Sequence, residues 1–209
     1  MKKLSFVIIA CLVAISFVAQ AALPDEQVAG TVKRMKGSAL AVQNAQVRVL
    51  NIGDKVLIGD ILSTGDESRL EITMIDDGSF QLGAKTSFVV IDYTFGKGAE
   101  DNVITELLTG ALDGVSGQIA KAKPEGMKVL ARTATIGIRG TKFFIGEMDD
   151  KLHVAHWSGG GVHVKNHGGE VLLDKENVGT VVHHDHVAPT EPESWHGEKS
   201  KRAKALVAH

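Results

Sequence analysis

Along most of the chain apolar residues recur at every second position or in short β-branched runs, and glycine interrupts them before a helical repeat can build. This pattern predicts strands over residues 28–32, 46–50, 69–74, 87–93, 102–108, 142–148, 152–157, 162–165 and 178–183. Asp77-Gly78, Asp113-Gly114, Ser158-Gly159-Gly160-Gly161 and Gly168-Gly169 punctuate them as turns. Many short strands at close spacing predict an all-β domain, short-stranded and solenoid-like or rolled, over residues 28–187. Gly53-Asp54, Gly59-Asp60 and Gly65-Asp66 repeat one dipeptide every six residues, with Val56-Leu57-Ile58 and Ile61-Leu62 between them. Glycine admits a tight corner and aspartate bonds nearby amides, so these read as corners of a coiled β structure. The nonapeptide spacing of calcium-binding β-rolls is missing.

Two stretches depart from the pattern. Residues 111–124 mix glycine and lysine and predict a loop with a helical turn. From residue 188 prolines and acids give way to Lys199, Lys201, Arg202 and Lys204, which predicts a charged C-terminal tail, flexible or partly helical from Glu198. Those cations either form a solvated face or touch an anionic surface.

The N-terminus adds an address. Lys2 and Lys3 precede an apolar run from Leu4 to Ala19, and Ala19-Gln20-Ala21 follows as a small-x-small cleavage site, so residues 1–21 read as a secretory signal peptide. The expected destination is the periplasm, with release further outward still open. Cleavage removes both lysines and shifts the formal net charge from −2 to −4. It also removes Cys11, the single cysteine, which excludes disulfides, thiol catalysis and thiolate metal sites from the mature chain. With 44% hydrophobic and 23% charged residues the chain is of ordinary globular composition, and the negative balance excludes a general nucleic-acid binder. After cleavage no apolar run remains for stable membrane insertion.

Candidate chemistry is sparse. No nucleophile elbow, metalloprotease helix, phosphate loop or dinucleotide fingerprint occurs, so the chain is expected not to be an enzyme. All nine histidines lie beyond residue 150. A hairpin closed by Ser158–Gly161 would set His156 opposite His163 on a solvent face, with Trp157 opposite Val162. His183-His184-Asp185-His186 is denser, and in an extended strand His184 and His186 share a face. Imidazole with carboxylate suits zinc, nickel or copper. His183, His184, His186, His156 and His163 are therefore the candidate metal ligands; the competing reading is a polar strand end with no cofactor.

Three segments in order resemble the FecR domain family. They are the run from Gly53-Asp54 to Gly65, then Asp76-Asp77-Gly78-Ser79-Phe80-Gln81-Leu82, then Ala134-Thr135-Ile136-Gly137-Ile138-Arg139-Gly140-Thr141-Lys142-Phe143. The resemblance spans residues 28–185 and implies an exported, β-rich domain that works by interaction. Family members that regulate sigma factors place a cytoplasmic helical segment and a membrane span before this domain. A cleavable leader stands there instead, so the expectation is a stand-alone module docking on an envelope or membrane protein. Gly137 and Gly140 are expected to make a tight bend around Ile138-Arg139. Arg139 and Thr141 are the partner-binding candidates, and Arg139 either meets that partner or fastens the turn internally. The leading reading is an envelope signalling or assembly module; the alternative is a periplasmic transition-metal binder.

Overall fold

A computed structural model describes residues 28–208; the expected leader and His209 lie outside the described residues. The strands are β1 (Val28–Lys36), β2 (Ala39–Gln43), β3 (Gln46–Val49), β4 (Lys55–Leu57), β5 (Ile61–Thr64), β6 (Arg69–Met74), β7 (Ser79–Leu82), β8 (Ser87–Thr94) and β9 (Asn102–Thr109). They continue as β10 (Ala111–Val115), β11 (Met127–Ala131), β12 (Ala134–Ile138), β13 (Thr141–Met148), β14 (Lys151–Gly159), β15 (Val162–Asn166), β16 (Gly169–Leu173), β17 (Val178–Val182) and β18 (Glu193–Ser194). Two short helices, α1 (Gln118–Ala122) and α2 (Glu198–Val207), accompany them. None of the described helices is long and apolar enough to cross a membrane.

Sheet A has the order β18-β17-β14-β13-β10-β7-β6-β1-β4, and sheet B has the order β16-β15-β12-β11-β9-β8-β5-β2-β3. Apart from the β1/β4 and β2/β3 exchanges at one end, each order follows the chain. The backbone therefore shuttles between two sheets while advancing in one direction, which is the solenoid-like, all-β arrangement expected. Every strand pair is antiparallel except β9 with β11. The sheets meet face to face over one core. Leu70, Ile72 and Met74 alternate inward from β6, Phe88 and Val90 from β8, and the Phe80 and Phe88 rings meet across the gap at 4.9 Å.

The corners are local and residue-specific. Gly53 and Gly59 adopt φ of +93° and +90°. One residue on, Asp54 accepts the Asn51 amide at 2.7 Å and Asp60 accepts the Leu57 amide at 2.8 Å. Gly65 lacks the left-handed backbone, and Glu67 supplies it instead at +52°. Asp60 is fully buried and draws Arg48 into a 2.5 Å ion pair.

Three sequence expectations need correction. Residues 111–115 are not loop but β10, a central strand of sheet A between β7 and β13; the predicted helical turn follows as α1. Strands β14 and β15 do not form a hairpin. Gly159 and Gly161, at φ of +109° and +122°, carry the chain from one sheet to the other, so β14 pairs with β13 and β17 while β15 pairs with β12 and β16. The tail is not outside the fold either. It is helical from Glu198, as read, but Trp195, Ala203 and Val207 pack with Phe144, Met148, Ala155 and Trp157 into a second core on the outer face of sheet A. The last carbonyls of α2 are taken up by β6 and β7: Arg69 donates to Ala208 at 3.0 Å and Gln81 to Val207 at 2.7 Å. This cover explains why β13 and β14 are apolar on both faces.

Candidate functional site

The segment Ala134–Phe143 crosses from sheet B to sheet A. Ile136 and Ile138 point into the core, leaving Thr135, Gly137 and Arg139 on the outer face of sheet B. Gly140, at φ of +62°, makes the bend. Gly137 does not: it lies inside β12 with ordinary extended backbone, and a Cβ there would come no closer than 3.8 Å to anything, at His163. A Cβ there would make only ordinary contact with His163, and its absence leaves the surface lower at that point. Register sets Lys128 of β11 and His163 of β15 on either side of it, and Lys165 one row along beside Thr135.

The result is a cleft of about 620 Å³ over β11, β12 and β15. Its charged lining comprises Lys128, Arg132, Arg139 and Lys165 against Glu125 and Asp185. Positive charge thus concentrates here on a chain whose formal charge is −2. The pairing is loose: Arg139 lies 3.9 Å from Glu125, and His163 and Lys165 share Glu170 at 3.4 Å each. Lys128 has no ion pair among the described residues. Such half-exposed pairs contribute little to stability and exchange readily for another carboxylate.

Thr141, expected beside Arg139 at a partner, lies inside the fold. It is 3% exposed, its hydroxyl bonds the Ser158 carbonyl, and its amide donates to Ser116 Oγ at 2.7 Å. The bend at Gly140 separates the two: Thr141, at the start of β13, turns inward on sheet A, while Arg139, before the bend, stays on the outer face of sheet B.

The histidines separate in the same way. His156 is fully buried in sheet A, opposite Phe143 and Val178, not on a solvent face opposite His163. Its Nδ1 meets the Lys175 carbonyl at 2.8 Å, and Nε2 is buried without a partner. A carbonyl only accepts, so Nδ1 carries the proton. His163 stands in the cleft. His183 and His184 are exposed past the end of β17, where His183 borders a small crevice beside Asp150 and Leu152. What the fold brings together is instead His167, Asp185 and His186, whose ligand atoms lie within 4.8 Å of one another. His167 was not singled out from the sequence; the Gly168-Gly169 turn beside it was the only available signal.

The buried acid Asp76 is structural. It accepts the Tyr93 hydroxyl at 2.5 Å, the Gly78 amide at 3.1 Å and the Ile119 amide at 3.3 Å. Burial, reinforced by that carboxylate, pushes the Tyr93 phenol far above the ordinary tyrosine range. Asp113, on sheet A, is pushed up by burial while accepting Trp157 Nε1 at 3.0 Å. Neither acid lines the cleft.

Comparison with known proteins agrees with the architecture. Two crystal structures of a candidate anti-sigma factor from Parabacteroides distasonis are similar, each with a TM-score of 0.52 and 18% identity. Each alignment covers 66% of this chain and 61% of the other, so the likeness is one of fold. No curated protein matches the chain. The family model described as FecR protein matches residues 60–160, a shorter span than the 28–185 of the sequence resemblance; β1–β4 and β15–β18 extend the same sheets beyond it. The match begins at the buried corner Asp60 and contains both the Asp76 turn and the Arg139 crossing, so it is over residues 60–160 that the chain is similar to a FecR domain.

Proposed function

We propose that this FecR-like chain is a non-enzymatic protein-interaction module of the periplasm, contributing to envelope signalling or assembly by seating an acidic surface of a partner protein in the cleft over β11, β12 and β15. One observation carries the reading. Gly137, in the middle of the domain's most recognisable segment, is required neither by backbone angle nor by packing, yet it keeps the floor of a cationic cleft open. A glycine inside a strand costs about 0.5–1 kcal/mol relative to alanine, a cost that an open binding surface accounts for. The signal-peptide pattern over residues 1–21 supports the location, and the solved structures' description as an anti-sigma factor supports a signalling context.

The test is crosslinking of the untagged protein in its native envelope, comparing wild type with Gly137→Leu and Arg139→Glu. One reproducible envelope partner should be captured by wild type and lost by both variants, whose thermal unfolding should match wild type. A partner retained by both variants overturns the cleft as the docking surface. Val47→Lys is the companion variant, because Val47 and Val49 stand exposed on β3 at the edge of sheet B. Loss there alone would place docking at the strand edge.

A further inference from the structure

Two loops that the chain order keeps apart are locked together beside the cleft. One is the turn from β15 into β16, Asn166 to Gly169; the other follows β17, residues 183–188. The His167 amide donates to the Asp185 carbonyl at 3.0 Å. Asn166 spans both loops: Nδ2 donates to the carbonyls of His184 at 3.0 Å and Val187 at 2.7 Å, while Oδ1 accepts the amides of Gly168 at 2.9 Å and Gly169 at 3.1 Å. The second loop passes so close that a Cβ on Gly168 would sit 2.5 Å from Ala188 N and Val187 C. The backbones beneath the two loops are therefore held in one relative position by bonds that do not involve the imidazoles or the carboxylate they present.

What that scaffold presents is a set of metal-ligand atoms. His186 Nε2 lies 3.3 Å from Asp185 Oδ2, the His167 and His186 rings are 5.2 Å apart at 35°, and all three groups bring a ligand atom within 4.8 Å of the others. A tetrahedral ion with bonds of about 2.0–2.2 Å holds its ligand atoms about 3.4 Å apart. One edge of that tetrahedron is already at length, and rotation of exposed side chains closes the rest without moving the backbone. Two imidazoles and a carboxylate with no thiolate suit a divalent ion of the zinc, nickel or copper(II) kind. We propose that His167, Asp185 and His186 form a binding site for a divalent transition metal, with zinc as the reference ion. Three protein ligands leave a fourth position for water or an incoming donor. His167 and Asp185 also line the cationic cleft, so the ion sits at its rim. The site is distinct from the four-residue run His183-His184-Asp185-His186 as a linear chelator: His183 points to another crevice, and His184 contributes its carbonyl to the scaffold.

The experiment is calorimetric titration of the untagged, chelator-stripped protein with zinc alone, followed by thermal unfolding with and without the ion. One zinc per chain and a raised midpoint are expected. His167→Ala and His186→Ala should each weaken binding at least tenfold, while His183→Ala and His184→Ala leave it within about twofold. Asn166→Ala removes no ligand and should still weaken binding, because it releases the two loops. Failure of zinc to bind stoichiometrically overturns the site. So does equal loss on removing His183 or His184, which would mean adventitious chelation by surface histidines.

Discussion

The outer faces of the two sheets begin from the same strand alternation and end differently. On sheet A, β13 and β14 turn Phe144, Met148, Ala155 and Trp157 outward, and Trp195 with α2 seals them from water. On sheet B, β11, β12 and β15 turn out Lys128, Thr135, Gly137, His163 and Lys165, and the face stays open as a cleft. The glycines show the contrast most directly. A Cβ on Gly179 of β17 would lie 2.5 Å from the Trp195 ring, so that glycine makes room for the seal. A Cβ on Gly137 would meet nothing within 3.8 Å. One glycine is explained by packing, whereas packing makes no such demand of the other.

The largest expected effect is on the sealed face. Trp195 is 1% exposed and touches both Phe144 and Trp157, with ring centroids 6.3 and 6.0 Å away. Trp195→Ala should cost about 3–5 kcal/mol in urea unfolding. A loss below about 1 kcal/mol would mean that the seal is not part of the fold. Next comes Gly179→Ala, expected to cost about 1–3 kcal/mol through overpacking against that same ring.

Acid should act on the sealed face as well. Burial holds the His153 imidazole below its ordinary value of about 6.5, with Lys199 and Arg202 pushing the same way and the Lys151 carbonyl and Asp149 opposing. A group favoured neutral in the folded state contributes its full stability above about pH 6.5, the unfolded value, and loses it as pH falls further. Unfolding midpoints should therefore drop between pH 7 and pH 5, and His153→Leu should flatten that slope. An unchanged slope in the variant would assign the acid sensitivity elsewhere.

The smallest effect sharpens the comparison most. Gly137→Ala should leave stability unchanged or raise it by up to about 1 kcal/mol, the opposite sign to Gly179→Ala. Measured by the same urea titration, a destabilisation above about 1 kcal/mol would show that Gly137 is structural after all.

Much of the architecture was legible because it is local. The Gly-Asp corners bond within three residues, as Asp54 with Asn51 and Asp60 with Leu57 show, and β6 covers the predicted 69–74. Strands hidden in glycine-rich stretches were not legible. Gly114 in β10 reads as a turn residue, but it is there because a Cβ would overlap the Phe143 ring. Asp76 and Asp77 are adjacent identical residues, yet Asp77 stays exposed while Asp76 becomes a buried acceptor because Tyr93 and the start of α1 arrive from elsewhere in the chain.

The candidate site divides along the same line. Gly137 reads as a bend residue, and only the pairing of β12 with its neighbours puts it on one face with Arg139, although the FecR resemblance is carried by this same segment. An assumed hairpin likewise misplaces His156, because which strand lies beside β14 depends on sheet pairing across the whole domain. Local backbone preference and hydrogen bonds within a few residues suffice for corners, strand faces and the start of α2. Partner strands, the seal over sheet A and the meeting of His167 with Asp185 and His186 arise only when distant segments bury their apolar faces together, since burial energy depends on the assembled surface and not on neighbours in sequence.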